Sequence, residues 1–370
     1  MTVINSRAFG APFRYIQGPG ELGNLELYAR DYGGSLFVLI DPFLYEGLQA
    51  DFKAVFAHSP GALHLERFGG ECSDAEVRRV GELVRASGAR IVAGAGGGKT
   101  LDTAKIVGNE LGLHQFIIPT SASTDAPTSS MSVLYRDSGE HLRCVVHKRG
   151  PDLVLVDSRL IVRAPVRLFV AGMGDALSTW FEARANAESD TANYVGRGYR
   201  RCRAGLAIAR ACYETLLADG VQAREAVEKG LLNEAVENII EANILLSGLG
   251  FENTGCAGAH AVHTGFHEIP AAKGAYHGEI VAFGVLFQLV LENRPSAEIN
   301  EALDFIKRVG LPATMRELGV EPSPENLDII AARILDGNSG VTAEPFPVTY
   351  ESVRKALIGA DALAGGRAGA

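Results

Sequence analysis

Short apolar runs alternate with amphipathic stretches through the first 120 residues. Ser35–Ile40 (SLFVLI) is continuously apolar after its serine and stops at Asp41-Pro42, the pattern of a strand buried on both faces. Residues 62–68, 90–94 and 115–119 read as further strands. A helical stretch follows Pro42, and Ser73-Asp-Ala-Glu76 opens another as a capping box, leading to about Ser87. Thr100 to Leu111 reads as the next helix. Strands alternating with helices of this length predict parallel βαβ units in an open sheet. From Pro165 the periodicity becomes helical, over residues 172–187, 199–218, 223–249, 257–268, 278–292 and 296–309. The expected fold is an α/β domain with a Rossmann-like parallel sheet over residues 1–165 and an all-α domain over 166–370. The Ala/Gly-rich tail, 360–370, reads as frayed or as a packed final turn.

Composition narrows the class. A chain of 370 residues exceeds the size at which one hydrophobic core stops growing. The net charge of −9 disfavours a nucleic-acid partner, which needs a basic face. There is no run of 18 apolar residues, and the first 15 residues lack the apolar core of a signal peptide. The five cysteines are scattered without a C-x-x-C pair, which suits a reducing compartment and excludes a cysteine metal site. A cytoplasmic protein is expected, with no membrane partner.

Ligands on open α/β sheets sit outside the carboxyl ends of the strands, and three segments there carry chemistry. The first is Asp41, placed to accept hydrogen bonds from a ribose 2′-hydroxyl and to repel a 2′-phosphate, favouring NAD over NADP; an Asp before Pro is also an ordinary turn residue. The second is Gly94-Ala-Gly96-Gly97-Gly98-Lys99-Thr100-Leu-Asp102, between a strand and a helix, where bare backbone N–H groups and the helix dipole favour an anion. It departs from G-x-G-x-x-G at Lys99, and from the P-loop pattern because Ala93 stands where the first glycine belongs. The third is the polar run Pro119–Met131, too long for a simple turn. Its hydroxyls suit a sugar or a nicotinamide amide, and Asp125 suits a polyol hydroxyl; a plain solvent loop is the alternative.

In the helical half, His260, His263, His267 and His277 fall within 18 residues. His260 and His263, three apart, share a helix face, and His277 can close on the same point; clustered surface or capping histidines are the bland alternative. Asp175 is the only acid between Leu160 and Phe181, a setting in which a carboxylate is costly unless paired or metal-bound. A helix N-terminus would also stabilise it. Asp175, His260 and His277 together would make a three-ligand N/O set with an open position, as catalytic metal sites have.

Taken in order, Gly96-Gly-Gly-Lys-Thr-Leu-Asp102-Thr-Ala-Lys, Pro119-Thr-Ser-Ala-Ser-Thr-Asp125-Ala-Pro, Gly172-Met-Gly-Asp175-Ala, Gly258-Ala-His260-Ala-Val-His263 and His277-Gly-Glu-Ile-Val-Ala-Phe-Gly resemble the glycerol dehydrogenases of the iron-containing alcohol dehydrogenase superfamily. The resemblance covers roughly residues 10 to 320. It implies a metal- and NAD-dependent oxidoreductase interconverting glycerol and dihydroxyacetone, or acting on related small vicinal diols, with the active site in the interdomain cleft. It further implies Asp175, His260 and His277 as ligands of zinc, with iron as the alternative. Nucleotide contacts are implied at Asp41, Gly97, Gly98, Lys99, Asp102, Thr120 and Ser123, with Ser129, Met131 and Tyr135 at the nicotinamide end. Asp125 and His260 are the implied substrate contacts, and a homo-oligomer, often an octamer, is the implied assembly. Some relatives carry a further histidine one helical turn after the Asp; here Thr179 stands there, which leaves three ligands and favours zinc. Dehydroquinate synthases and glycerol-1-phosphate dehydrogenases share the layout but need a basic phosphate pocket that is not evident here. A P-loop hydrolase and a non-catalytic metabolite-binding protein are the remaining readings.

Overall fold

The computed structural model describes residues 5–337 and 339–366. It divides into two compact units. The sheet unit is Gly10–Pro165 with residues 230–232; the helical unit is Val166–Lys229 and the chain from Asn233 on, with the residues up to Phe9. Residues 367–370, the end of the Ala/Gly-rich tail, lie outside the described part.

Six strands form the sheet: β1 (Tyr15–Gly18), β2 (Leu36–Ile40), β3 (Leu63–Arg67), β4 (Ile91–Gly96), β5 (His114–Pro119) and β8 (Leu153–Asp157). They lie in the order β1-β8-β5-β4-β2-β3, every pair parallel. The longer helices between them are α1 (Tyr45–Val55), α2 (Asp74–Ser87) and α3 (Gly98–Leu111). The continuous apolar character of β2 has a direct cause. Leu36, Val38 and Ile40 pack into one core with Phe52 of α1, while Phe37 and Leu39 pack into another with Val77, Val80 and Val84 of α2. Each such side chain taken fully out of water contributes about 1.5–3 kcal/mol, so neither face tolerates a polar residue.

Two details depart from expectation. Ser73 caps α2 by accepting the Glu76 N–H, but the Glu76 carboxylate does not reach back to it. It accepts the Gly69 N–H at 2.8 Å and pairs with Arg79, so only half of the capping box forms. The end of the polar 119–131 run becomes strand β6 (Met131–Tyr135), paired antiparallel with β7 (His141–Val146). The hairpin is weakly signalled because β7 is largely exposed and its residues mix polar and apolar types.

The carboxyl edge of the sheet brings the three chemistry-bearing segments side by side. The Asp41 N–H donates to the Ala95 carbonyl at 2.9 Å, and the Thr120 N–H donates to the Gly96 carbonyl at 3.1 Å.

The helical unit contains α4 (Val166–Ser189), α5 (Arg203–Glu228), α6 (Glu234–Glu241), α7 (Ser247–Thr254), α8 (Gly258–Phe266), α9 (His277–Leu291), α10 (Ser296–Val309), α11 (Pro324–Ile334) and α12 (Tyr350–Gly365). The single helix expected over 223–249 is instead broken. α5 ends at Glu228, Gly230 takes φ 66°, and Asn233 caps α6 by accepting the Val236 N–H at 3.0 Å. A wider π turn over Ala242–Leu246 then leads into α7. α9 is apolar nearly all round, because Ile280 to Leu289 are buried without interruption. It is the central helix of its unit. Among the described residues no helix is long and apolar enough to cross a membrane, and all five cysteines are free.

Candidate active site

Asp175 sits in the third turn of α4, with its carboxylate fully buried. The helix begins at Val166, so the reading of Asp175 as an N-terminal helix acid does not hold; what compensates its burial is its partners. His277 Nε2 lies 3.1 Å and His260 Nε2 3.5 Å from the same oxygen, Oδ1. The ligand atoms of all three residues lie within 4.8 Å of one another. His260 and His277 flank the carboxylate from α8 and α9.

The start of α8 shows how His260 is held. A helix begins with four N–H groups that have no partner within it, and Ala257, which precedes α8, has no side chain to cap them. Distant residues do so instead. Glu182 Oε1 accepts the Ala257 and His260 N–H groups at 2.8 and 2.9 Å, Glu344 accepts that of Gly258 at 3.0 Å, and Gln288 that of Ala259 at 3.0 Å. The other oxygen of the fully buried Glu182 accepts Nδ1–H of His260 at 2.7 Å. That bond fixes the ring and its tautomer, leaving Nε2 toward Asp175. Glu182 escaped the sequence reading because its partners are 75 and 78 residues away; a second buried acid on the Asp175 helix was the available signal.

α9 is anchored at the residue that matters. His277 is its first residue, and Glu279 accepts the Tyr276 N–H at 2.7 Å while pairing with Arg167 of α4 at 2.6 Å. His263 Nε2 lies 2.9 Å from Nδ1 of His277 and 3.0 Å from Nε2 of His267, so all four clustered histidines are contiguous, with only His260 and His277 reaching Asp175. Thr179, one turn beyond Asp175, is turned onto Ser247, 2.8 Å away.

The donor set fits a metal ion. Two imidazole nitrogens and one carboxylate oxygen suit zinc or iron and leave a coordination position for a substrate oxygen. The electrostatics agree. Burial would raise the Asp175 carboxyl, but the charges of His277 and His260 and their hydrogen bonds hold it well below the usual carboxylate range. Burial would lower His260, yet Cys256, Glu182 and Asp175 around it raise it well above the usual imidazole value. The pocket is built to hold positive charge.

In the sheet unit, α3 begins at Gly98 with Gly97 in the capping position. Gly96 is a glycine for packing reasons: a methyl there would meet Thr100 and Asp41 at 2.8–2.9 Å. Gly97 and Gly98 are not. A methyl on Gly97 would touch nothing within 4 Å, one on Gly98 only Thr124 at 3.9 Å, and neither residue has a positive φ. The protein fold leaves their outer faces open, as a backbone cradle for a pyrophosphate requires. Lys99 at the same turn pairs with Glu71 at 2.6 Å and lies 4.7 Å over the Tyr135 ring. Asp41 is at the adjacent strand end, its carboxylate accepting the Phe43 N–H at 3.0 Å. Glu71 was not foreseen.

In the segment after β5, Thr120 and Asp125 are buried, and Ser123 shares a 3.1 Å hydrogen bond with Ser121. Ser129 is buried and donates to the Ala126 carbonyl at 3.2 Å; Met131 is half-buried at the start of β6. Asp102 is engaged within the protein: its carboxylate accepts the Val133 N–H at 2.8 Å and pairs with Lys105 at 3.0 Å.

The sheet with its open glycine turn, and the carboxylate–imidazole trio, define an oxidoreductase of the metal-dependent alcohol dehydrogenase type. The family model for iron-containing alcohol dehydrogenase matches residues 12–158, and full-length relatives extend the match over nearly the whole chain. The chain belongs to the iron-containing alcohol dehydrogenase family, whose members use NAD and a metal. It is 45% identical over 356 residues to a glycerol dehydrogenase of Citrobacter freundii, covering 95% of this chain and 96% of that one. It is 40% identical to a glycolaldehyde reductase of Halobacterium salinarum, covering 96% and 97%. The crystal structure of a probable glycerol dehydrogenase from Sinorhizobium meliloti superposes with a TM-score of 0.92 at 45% identity, covering 98% of this chain and all of the other.

Proposed function

We propose that this protein oxidises glycerol, or a closely related small vicinal diol, to the hydroxyketone with NAD, and catalyses the reverse reduction. The observation that carries the reading is the convergence of Asp175, His260 and His277 on one point with Glu182 fixing the His260 ring. These residues would hold a zinc ion, with iron the alternative on the same donors. When bound, such an ion supplies Lewis acidity that lowers the pKa of a substrate hydroxyl. Asp175 supplies the one anionic ligand and the two Nε2 atoms the neutral ones, a set that leaves a position for an incoming alcohol oxygen.

The glycine turn, with Lys99 and Thr120, takes the pyrophosphate; Asp41 takes the adenosine ribose; Ser123, Ser129, Met131 and Tyr135 hold the nicotinamide end. Asp125 accepts a hydrogen bond from the second hydroxyl of the substrate, which selects diols over simple alcohols. The names of the relatives support this selection: glycerol and glycolaldehyde both carry oxygens on adjacent carbons. Bound NAD would supply the hydride acceptor, C4 of its nicotinamide, and the hydroxyl proton would leave to solvent, so that atoms and charge balance. A homo-oligomer belongs to the same reading, supported by the exposed Ile358 and Leu363 of α12; light scattering of the purified protein tests it.

Purified protein mixed with zinc, NAD and glycerol should develop NADH absorbance, more strongly than with ethanol. No NADH with glycerol or any 1,2-diol would remove the reading.

A further inference from the structure

We infer that the buried pair Lys105 and Asp102 is a positioning device that fixes the 126–133 segment to α3, so that a single helix sets both the glycine turn and the nicotinamide end of the dinucleotide site. The inference rests on the NAD-binding role proposed for that segment.

Lys105 is fully buried, an unusual place for a lysine and a costly one unless its charge and donors are all used. They are used on one stretch of chain. Its Nζ donates to the carbonyls of Ala126 at 2.8 Å and Met131 at 2.5 Å, with the Ser129 carbonyl at 3.4 Å, and pairs with Asp102 Oδ1 at 3.0 Å. The other oxygen of Asp102 accepts the Val133 N–H at 2.8 Å. The two residues, three apart on one face of α3, therefore grip the segment along most of its length. His147 clamps it from β7's far end, its N–H donating to the Ser130 carbonyl and its Nε2 lying 2.9 Å from Ser132 Oγ.

Stability alone is a poor explanation. Replacing a buried ion pair with apolar side chains of similar volume is often neutral or stabilising. Here the lysine satisfies backbone carbonyls of an irregular loop, which an apolar side chain leaves stranded. The gripped residues include Ser129 and Met131, and β6 leads on to Tyr135. Seven residues before Lys105, the same helix begins at Gly98.

The test separates the two ends of the nucleotide by calorimetric titration with ADP, which lacks the nicotinamide, and with NADH. Lys105→Met should weaken NADH by about tenfold while ADP stays within about twofold of wild type. Its bound metal should be unchanged. Asp102→Asn, isosteric and chosen in case the lysine variant does not fold, should show the same selectivity at about threefold. Equal weakening of ADP and NADH in the soluble variants would mean a general structural role and overturn the inference, as would NADH affinity that does not move. Wild-type protein that binds no NADH would overturn the functional reading first and this one with it; wild-type binding with unmoved variants overturns this one alone.

Discussion

Gly174 of α4 and Gly278 of α9 face each other with no room for a side chain on either. A methyl on Gly278 would run into the Ala171 carbonyl oxygen, and one on Gly174 into the Gly278 carbonyl. Asp175 and His277 are their immediate neighbours, and the contact brings His277 Nε2 to 3.1 Å from the carboxylate. On the other side of α9, Gly284 meets the Ala259 carbonyl beside His260 in the same way. Gly278→Ala should therefore cost about 1–3 kcal/mol in overpacking and loosen the metal site as the helices part. Denaturant unfolding and metal analysis of the variant check this. A variant with wild-type stability and metal content would mean the close approach is not needed.

The ligand set makes a sharper claim. Asp175→Ala and His277→Ala should lose bound zinc together with activity, measured by elemental analysis after zinc loading; stoichiometric metal in either would sink the assignment. Glu182→Gln should keep the metal at saturation but weaken it about 10- to 100-fold in competition with a chelator.

Gly97 offers a test of the nucleotide cradle that the fold itself does not confuse. Since its missing side chain faces open space at ordinary φ, Gly97→Ala should leave the melting temperature unchanged and raise the KM for NAD. Reduced stability with unaltered KM would show that the glycine serves the fold.

Substrate choice is assigned to Asp125. Asp125→Ala should lower the ratio of activities on glycerol and ethanol by about tenfold, the scale of one lost charged hydrogen bond. An unchanged ratio would remove Asp125 from substrate recognition.

His147 gives a pH signature. Burial, and then the nearby Lys105, push its imidazole down to about 4 from the usual 6.5. The unfolded chain then binds more protons than the folded one between those values, so stability rises with pH there. The contribution is fully present above about pH 6.5 and is lost as pH falls toward 4, by up to about 3 kcal/mol. His147→Gln should flatten the urea midpoint between pH 4 and pH 7; a variant with the wild-type slope would contradict the account.

Much of this protein was legible along the chain because the information was local. The β2 and β4 runs are apolar on both faces because each strand is covered twice, and periodicity reports that directly. The glycine turn, the Asp125 segment and the ligand candidates Asp175, His260 and His277 were visible by residue type and position. β8, with its apolar run of four from Leu153 to Val156, carried a usable signal; the four-residue β1 and the exposed β7 carried little.

Which histidines face the carboxylate was decided elsewhere. Local spacing favours His260 with His263, whereas packing pairs His260 with His277, because the glycine contacts of α9 fix where its first residue falls. Glu182, Glu71 and Lys105 act on groups that sequence distance hides, at 78, 28 and up to 26 residues. Apolar periodicity along the chain set most of the strands and helices, and residue type set what is offered for chemistry. Only the tertiary structure decided which of them meet, since hydrogen bonds and steric contacts act over a few ångströms regardless of separation along the chain.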